Sequence, residues 1–174
     1  MTFATGHHDP RRAFTLIELI LVLALLVIIT SMAVPHMASF IRGRALDSEA
    51  RRLMAAMHVA QSRAVSEGMP MVLWVDEKGG AYGFELETSG QNGDAKAEKL
   101  NLDGTLGIGV VSTANATPIT FKNLPAIRFM ADGTIDENSP PTLKLTDSDG
   151  FSRRFSENTA RTGYEVYDST SQSR

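Results

Sequence analysis

Residues 14–34, FTLIELILVLALLVIITSMAV, form an apolar run interrupted early by one carboxylate, Glu18, with no polar side chain between Leu19 and Ile29. A helix of that length spans about 31 Å at 1.5 Å per residue, enough to cross a hydrocarbon core of roughly 30 Å. Arg11 and Arg12 precede the run and few basic residues follow closely, which predicts a cytoplasmic N-terminus. Three readings compete. A cleaved secretory signal, with a small-residue site sought around Thr30–Ala33, has an apolar core that is usually shorter than this one. A plain membrane anchor is the second. The third makes the span itself functional.

Two residues favour the third. A carboxylate in a membrane helix costs about 2.5–3.5 kcal/mol at the bilayer centre and less near the interface, so Glu18 calls for a partner. No Lys or Arg follows it on the same face until Arg42. Snorkelling to the headgroups is the bland alternative, and Glu is short for it. A chain cut after Ala13 would expose an α-amino group at Phe14, i, i+4 from Glu18, reachable within one helix or on a neighbouring copy. Pro35 stands where the run ends. It lacks an N–H and either stops the helix or kinks it, and the helical pattern that resumes afterwards favours a kink.

Beyond the run the chain reads as one soluble domain. Its 174 residues suit a domain with an appendage, and 43% hydrophobic with 21% charged residues is a globular composition. A net charge of −3 gives no overall basic field toward nucleic acid. The absence of cysteine excludes disulfides, thiolate metal sites and a cysteine nucleophile.

Leu46, Ala50, Leu53, Met57, Ala60 and Ala64 recur at steps of three and four, an apolar stripe on an amphipathic helix whose other faces carry Arg51, Arg52, Gln61, Arg63 and Glu67. Gly68 and Pro70 should end it. From Phe14 to Glu67 such a helix would measure about 80 Å at 1.5 Å per residue. Strands are predicted over 71–76, 81–87, 107–112, 119–122, 126–130, 142–146, 151–156 and 164–167, with 88–104 as a loop. Glu77–Gly80, Asp132-Gly133 and Asp149-Gly150 are turn signals. The fold class is therefore α+β, a long N-terminal helix packed on an antiparallel β-sheet head.

Little here suggests catalysis or a cofactor. His7 and His8 beside Asp9 lack further ligands at defined spacing, and His36 and His58 are isolated. Asp147-Ser148-Asp149-Gly150 resembles the opening of a calcium loop, but the remaining ligands and distal Glu are missing, so a hairpin turn is the better reading. There is no phosphate loop and no nucleophile elbow. Arg153, Arg154 and Arg161 are the candidate nucleic-acid contacts. Three arginines fall short of a basic stripe, so solvated strand charge is preferred.

The segment Arg11-Arg12-Ala13-Phe14-Thr15-Leu16-Ile17-Glu18, with Pro35 in register, resembles the cleavage and methylation signature of type IV pilins and type II secretion pseudopilins. The stripe over 53–64, the MVLWVD hairpin, Ile127-Arg128-Phe129 leading into Ala131-Asp132-Gly133, and Arg161-Thr162-Gly163 are similar to H-type minor pseudopilins and to minor pilins of the FimT kind. The resemblance implies a leader over 1–13, a transmembrane and assembly helix over 14–35, an amphipathic stalk over 36–68, an extracytoplasmic head over 69–168 and a frayed tail over 169–174. A prepilin peptidase would cut between Ala13 and Phe14 and methylate Phe14, although Ala13 stands where the family usually has Gly. Glu18 would then neutralise the amine of a neighbouring subunit. The implied protein is a non-enzymatic subunit of the bacterial inner membrane, anchored through residues 14–34 with a periplasmic head. Near the tip of a pseudopilus it would meet other pseudopilins, and secreted cargo is a further implied partner. The alternative is a FimT-like minor type IV pilin that binds DNA or acts in pilus assembly. The mixed charge of residues 161–168 weighs against the DNA role.

Overall fold

The structure, a computed structural model, describes residues 15–88, 93–111 and 119–168, with side chains for all of these except 32–42 and 168. The leader with Ala13 and Phe14, Ser112, and the tail over 169–174 lie outside the described residues, as does the side chain of Pro35. The chain divides into two compact units, one up to Phe40 and one from Ile41.

Helix α1 runs over Leu16–Glu67 and includes Pro35. Its apolar start is bare on every side: the large aliphatic side chains between Leu16 and Ile29 are 53% to 77% exposed. Thr30 and Ser31 hide their hydroxyls in the helix itself, Thr30 donating to the Leu26 carbonyl at 2.8 Å and Ser31 to that of Ile28 at 2.8 Å. Such back-bonding lets a polar residue sit in apolar surroundings without an unmet donor. Among the described residues no helix is long and apolar enough to cross a membrane. The apolar run of the sequence extends past the described side chains at both ends.

From Ile41 onward α1 belongs to the head. The predicted stripe is the buried face: Leu46, Ala50, Leu53, Met57, Ala60 and Ala64 are all buried, and Ala56 joins them. Alanine at four of these positions lets the helix backbone approach the sheets closely. The helix ends as the Gly68 signal requires. Gly68 takes φ +65° and the Met69 N–H reaches back to the Ala64 carbonyl at 3.2 Å, a Schellman closure.

Among the described residues the head holds nine strands, in two antiparallel sheets rather than one. The first has the order β3 (Glu98–Asn101), β2 (Ala81–Leu86), β1 (Met71–Asp76), β6 (Leu124–Phe129), β5 (Thr120–Phe121). The second has the order β4 (Leu106–Val111), β7 (Thr142–Asp147), β8 (Ser152–Glu157), β9 (Tyr164–Asp168). One main core joins both sheets to α1, with Leu53, Leu73, Tyr82, Ile127, Leu143 and Phe155 at its centre. A second, smaller cluster of Val72, Ile119 and Ala126, packed with Trp74 and Phe121, covers the other face of the first sheet. Strands β1 and β2 are therefore buried on both faces.

One prediction needs correction. Residues 88–104 are not all loop, because β3 lies within them and pairs Glu98–Asn101 against Ala81–Phe84. Its sequence, EKLN, is charged and short, and only Leu100 is even half-buried. An edge strand with one half-buried side chain, Leu100, leaves no apolar alternation to read.

Candidate assembly site

The first turn of α1 is organised by Thr15. Its hydroxyl accepts the Glu18 N–H at 3.3 Å and its carbonyl accepts the Leu19 N–H at 3.2 Å. Thr15 is thus the N-cap, and Glu18 occupies the third helical position, where a carboxylate also meets the positive end of the helix dipole. The Glu18 side chain is exposed amid apolar neighbours and meets no cation among the described residues. Its expected partner, the Phe14 amine, lies outside them.

In the head, polar side chains of α1 tie the helix to both sheets. The buried Tyr82 hydroxyl donates to Glu49 at 2.8 Å, and burial raises the Tyr82 pKa above the usual phenol range. Gln61 donates to the Gly133 carbonyl at 2.6 Å and to the Thr162 carbonyl at 2.7 Å. Those two carbonyls belong to the Ala131-Asp132-Gly133 and Arg161-Thr162-Gly163 segments, which the helix brings together across long sequence separation. Gly133 adopts φ +85° there.

Arg63 is the third tie. It donates to Glu67 at 3.1 Å, to Asp94 at 3.0 Å and to the Lys96 carbonyl at 3.0 Å. Asp94 also accepts the Leu86 N–H at 3.0 Å and the Lys96 N–H at 2.8 Å, so it holds the β2–β3 connection on the helix. Burial pushes the Asp94 carboxyl up, but the Lys96 and Leu86 amides and Arg63 outweigh it, and the net pKa is lowered. A lowered carboxylate stabilises the fold above its unfolded value of about 3.9, and the benefit fades as pH falls through the folded value. Asp94→Ala is expected to cost about 2 kcal/mol at pH 7, as a buried amide and a guanidinium lose their acceptor. The gap to wild type should narrow below about pH 4. Thermal unfolding of both proteins in detergent across pH checks this, and a gap constant with pH would contradict it.

The three candidate arginines do not make a basic patch. Residues 153 and 154 are adjacent on β8, so they face opposite sides of the sheet. Arg153 faces α1 and bridges to Asp47 with Nη2 at 2.8 Å. Arg154 is exposed on the outer face, in register with Lys144. Arg161 pairs with Glu157 at 3.1 Å and lies at φ +56° in the β8–β9 connection. Asp147 of the calcium-like segment serves the hairpin, its Oδ1 accepting the Asp149 and Phe151 amides at 2.9 Å each. No cluster of metal-ligating side chains occurs among the described residues.

Glu49, Gln61 and Asp94 were not singled out from sequence as structural ties. Only the i, i+4 pair Arg63–Glu67 carried a local signal. The others depend on contacts 31 to 101 residues apart.

Known proteins share this arrangement. The minor pseudopilin EpsH from the type 2 secretion system of Vibrio cholerae superposes with a TM-score of 0.54 at 14% identity, over 71% of this chain and 96% of that one. The type IV minor pilin FimU of Pseudomonas aeruginosa gives 0.53 at 20% identity, over 75% and 94%. At these identities the likeness is one of fold. The type IV major pilin protein PilA of Myxococcus xanthus is 28% identical over 149 residues, 79% of this chain. The match spans 60% of that pilin's length. Residues 9–34 match the prokaryotic N-terminal methylation motif. Residues 49–163, the latter part of the stalk and nearly all of the head, match the type II transport protein GspH family, and the chain belongs to that family.

Proposed function

We propose that this chain is a minor pseudopilin, a structural subunit of the short periplasmic filament used in type II protein export. The observation that carries the reading is the bare apolar start of α1 with Glu18 in its first turn. A helix exposed on all sides over this length needs either lipid or several neighbouring helices around it. One docking partner would cover one face only. The match to the N-terminal methylation motif supports this reading, in which the helix passes from membrane to filament and meets both environments.

In this reading the leader stays in the cytoplasm, the head faces the periplasm, and a prepilin peptidase cuts between Ala13 and Phe14 and methylates the new amine. Glu18 and Pro35 act in assembly, the first by meeting a neighbour's amine and the second by shaping the helix. In this reading the role of the head is structural. Its ties at Tyr82, Gln61 and Arg63 keep the stalk fixed to the sheets, so force on the helix moves the head as a body.

Likeness to FimU and PilA supports a second reading, a minor type IV pilin acting in pilus assembly. DNA binding gains nothing from the split placement of Arg153 and Arg154 or from the pairing of Arg161. Because the chain has no cysteine, a single substitution such as Leu23→Cys, alkylated with a thiol-directed photo-cross-linker, carries the probe at one site. The expected result is cross-linking to other pilin-like subunits, together with loss of protein export when the gene is deleted. Intact export with lost pili would establish the second reading instead. Salt-sensitive micromolar DNA binding by the protein would reinstate the DNA role.

A further inference from the structure

We propose that the groove between α1 and β9 takes an extended segment of a partner protein, which adds to β9 as a fifth strand, lays apolar side chains on the groove floor and sets a carboxylate against its rim. The inference goes beyond the filament role above and does not depend on which system the chain serves.

The first observation is an open sheet edge. The Asn158 N–H donates to the Gly163 carbonyl at 2.9 Å, so alternation along the ladder turns the N–H and C=O of Tyr164 and Val166 away from β8. Natural proteins blunt such edges, and the other three edges here are blunted. β5 is two residues long. β3 is short and charged, and Arg52 donates to its Asn101 carbonyl at 3.3 Å. In β4 the Val110 N–H is taken by Glu77 at 2.6 Å. β9, Tyr-Glu-Val-Tyr-Asp, has five residues without lysine or proline, and no described strand pairs with its outer side.

The second observation lies beside that edge. Val166 is in register with the buried Phe155, so its side chain is on the face toward α1, yet it is 44% exposed. With Ala50, Met54 and Ala55 of α1 it lines a groove of about 520 Å³. A strand added to β9 would point every second side chain into that groove. Main-chain bonds would then supply affinity and the apolar floor specificity.

The third observation is charge. Asp47 and Arg153 pair at 2.8 Å in the groove wall, while Arg51 and His58 stand exposed on its helix side. Arg51 donates to the Asp47 carbonyl at 3.3 Å and bridges to no carboxylate among the described residues. A rim of this sign suits an acidic side chain. The chain's own residues 169–174, STSQSR, offer neither an apolar nor an acidic side chain and do not suit the groove.

The test is affinity selection from a random peptide library by the full chain in detergent micelles. Enriched peptides should alternate apolar residues and carry Asp or Glu, and their binding should slow hydrogen exchange of the Val166 amide at least about ten-fold. Val166→Pro removes the outward N–H and spares the bonds to β8, so binding should fall about ten-fold or more. Ala55→Trp, at an exposed helix position, fills the groove and should abolish binding whether or not the proline variant folds. Arg51→Glu should weaken acidic peptides about ten-fold. Thermal unfolding of each variant verifies its fold. A library that yields no binder overturns the inference. So do enriched peptides without alternation or acidic residues, and binders unmoved by Ala55→Trp. An unprotected Val166 amide in the complex also overturns it, because the occupant would then not be a strand on β9. None of these readouts involves export or filaments, so the filament reading stands or falls separately.

Discussion

Glu18→Gln is expected to insert into the membrane as well as the wild type and to be almost absent from filaments. The amide matches the carboxylate in size and retains hydrogen-bonding capacity, so the helix and its first turn should persist. Insertion should become easier, because a charge at mid-membrane costs about 2.5–3.5 kcal/mol and less near the interface. Assembly should suffer for the opposite reason. If Glu18 meets the Phe14 amine of a neighbour inside an apolar bundle, its neutralisation leaves a buried ammonium unpaired. Removing one member of a buried pair costs about 3–5 kcal/mol, so incorporation should fall by at least about a hundredfold. Glu18→Ala should behave alike. The measurement compares the amount of each variant in the membrane fraction and in sheared filaments. Full incorporation of either variant would contradict the role assigned to Glu18.

A large stability effect is expected in the head from Gly83→Val. Strand propensity alone predicts a gain, because glycine in a strand interior is weak and valine is among the best strand residues. The structure reverses the sign. Gly83 lies opposite Trp74 across the β1–β2 ladder, and the indole rests over it with its N–H on Glu85 at 3.1 Å. A β-carbon there would run into the Trp74 ring and the Glu98 carbonyl of β3. Neither can yield cheaply, since the ring is pinned by Glu85 and the carbonyl belongs to the paired backbone. Overpacking of this kind costs about 1–3 kcal/mol, and the loss should reach about 3 kcal/mol with part of the β2–β3 pairing gone.

Gly107→Val in β4 is the matched control. Its β-carbon would meet only the Thr146 carbonyl, at 3.9 Å, and the position is exposed. The same substitution there should be neutral or stabilising by up to about 1 kcal/mol. Trp74 is the single tryptophan, so its fluorescence reports the Gly83 site during unfolding. Equal stability of the two variants would rule out the packing argument.

The elements with strong periodicity were readable in advance. The stripe from Leu46 to Ala64 lies on the core, and Gly68 closes the helix, because both signals are local: side chains three and four apart share a face, and a left-handed residue stops a helix at modest cost. Most of the strands over 71–86 and 142–168 follow from apolar alternation and turn residues for the same reason. β3 was missed because its edge position buries only part of one side chain, Leu100, too little for a periodic signal. The two-sheet arrangement was missed because nothing local says which strands pair.

The candidate site divides along the same line. Glu18 stands out in sequence because a lone charge in an apolar run is costly wherever the chain folds. Thr15, only three residues away, emerged as a cap once the hydrogen bond was seen. The arginines near the C-terminus could be counted but not placed. Strand alternation sends neighbours to opposite faces, and only the folded partners, Asp47 for Arg153 and Glu157 for Arg161, show where their charge is spent.

Sequence by itself determined the apolar helix, its single carboxylate, the amphipathic continuation and the β-rich class of the head. Each is a property of residues close along the chain, where spacing translates directly into geometry. Only the tertiary structure decided the sheet order, the ties from Glu49, Gln61 and Arg63, and the intolerance of Gly83 to any side chain. These depend on which distant segments meet, and packing in three dimensions settles that.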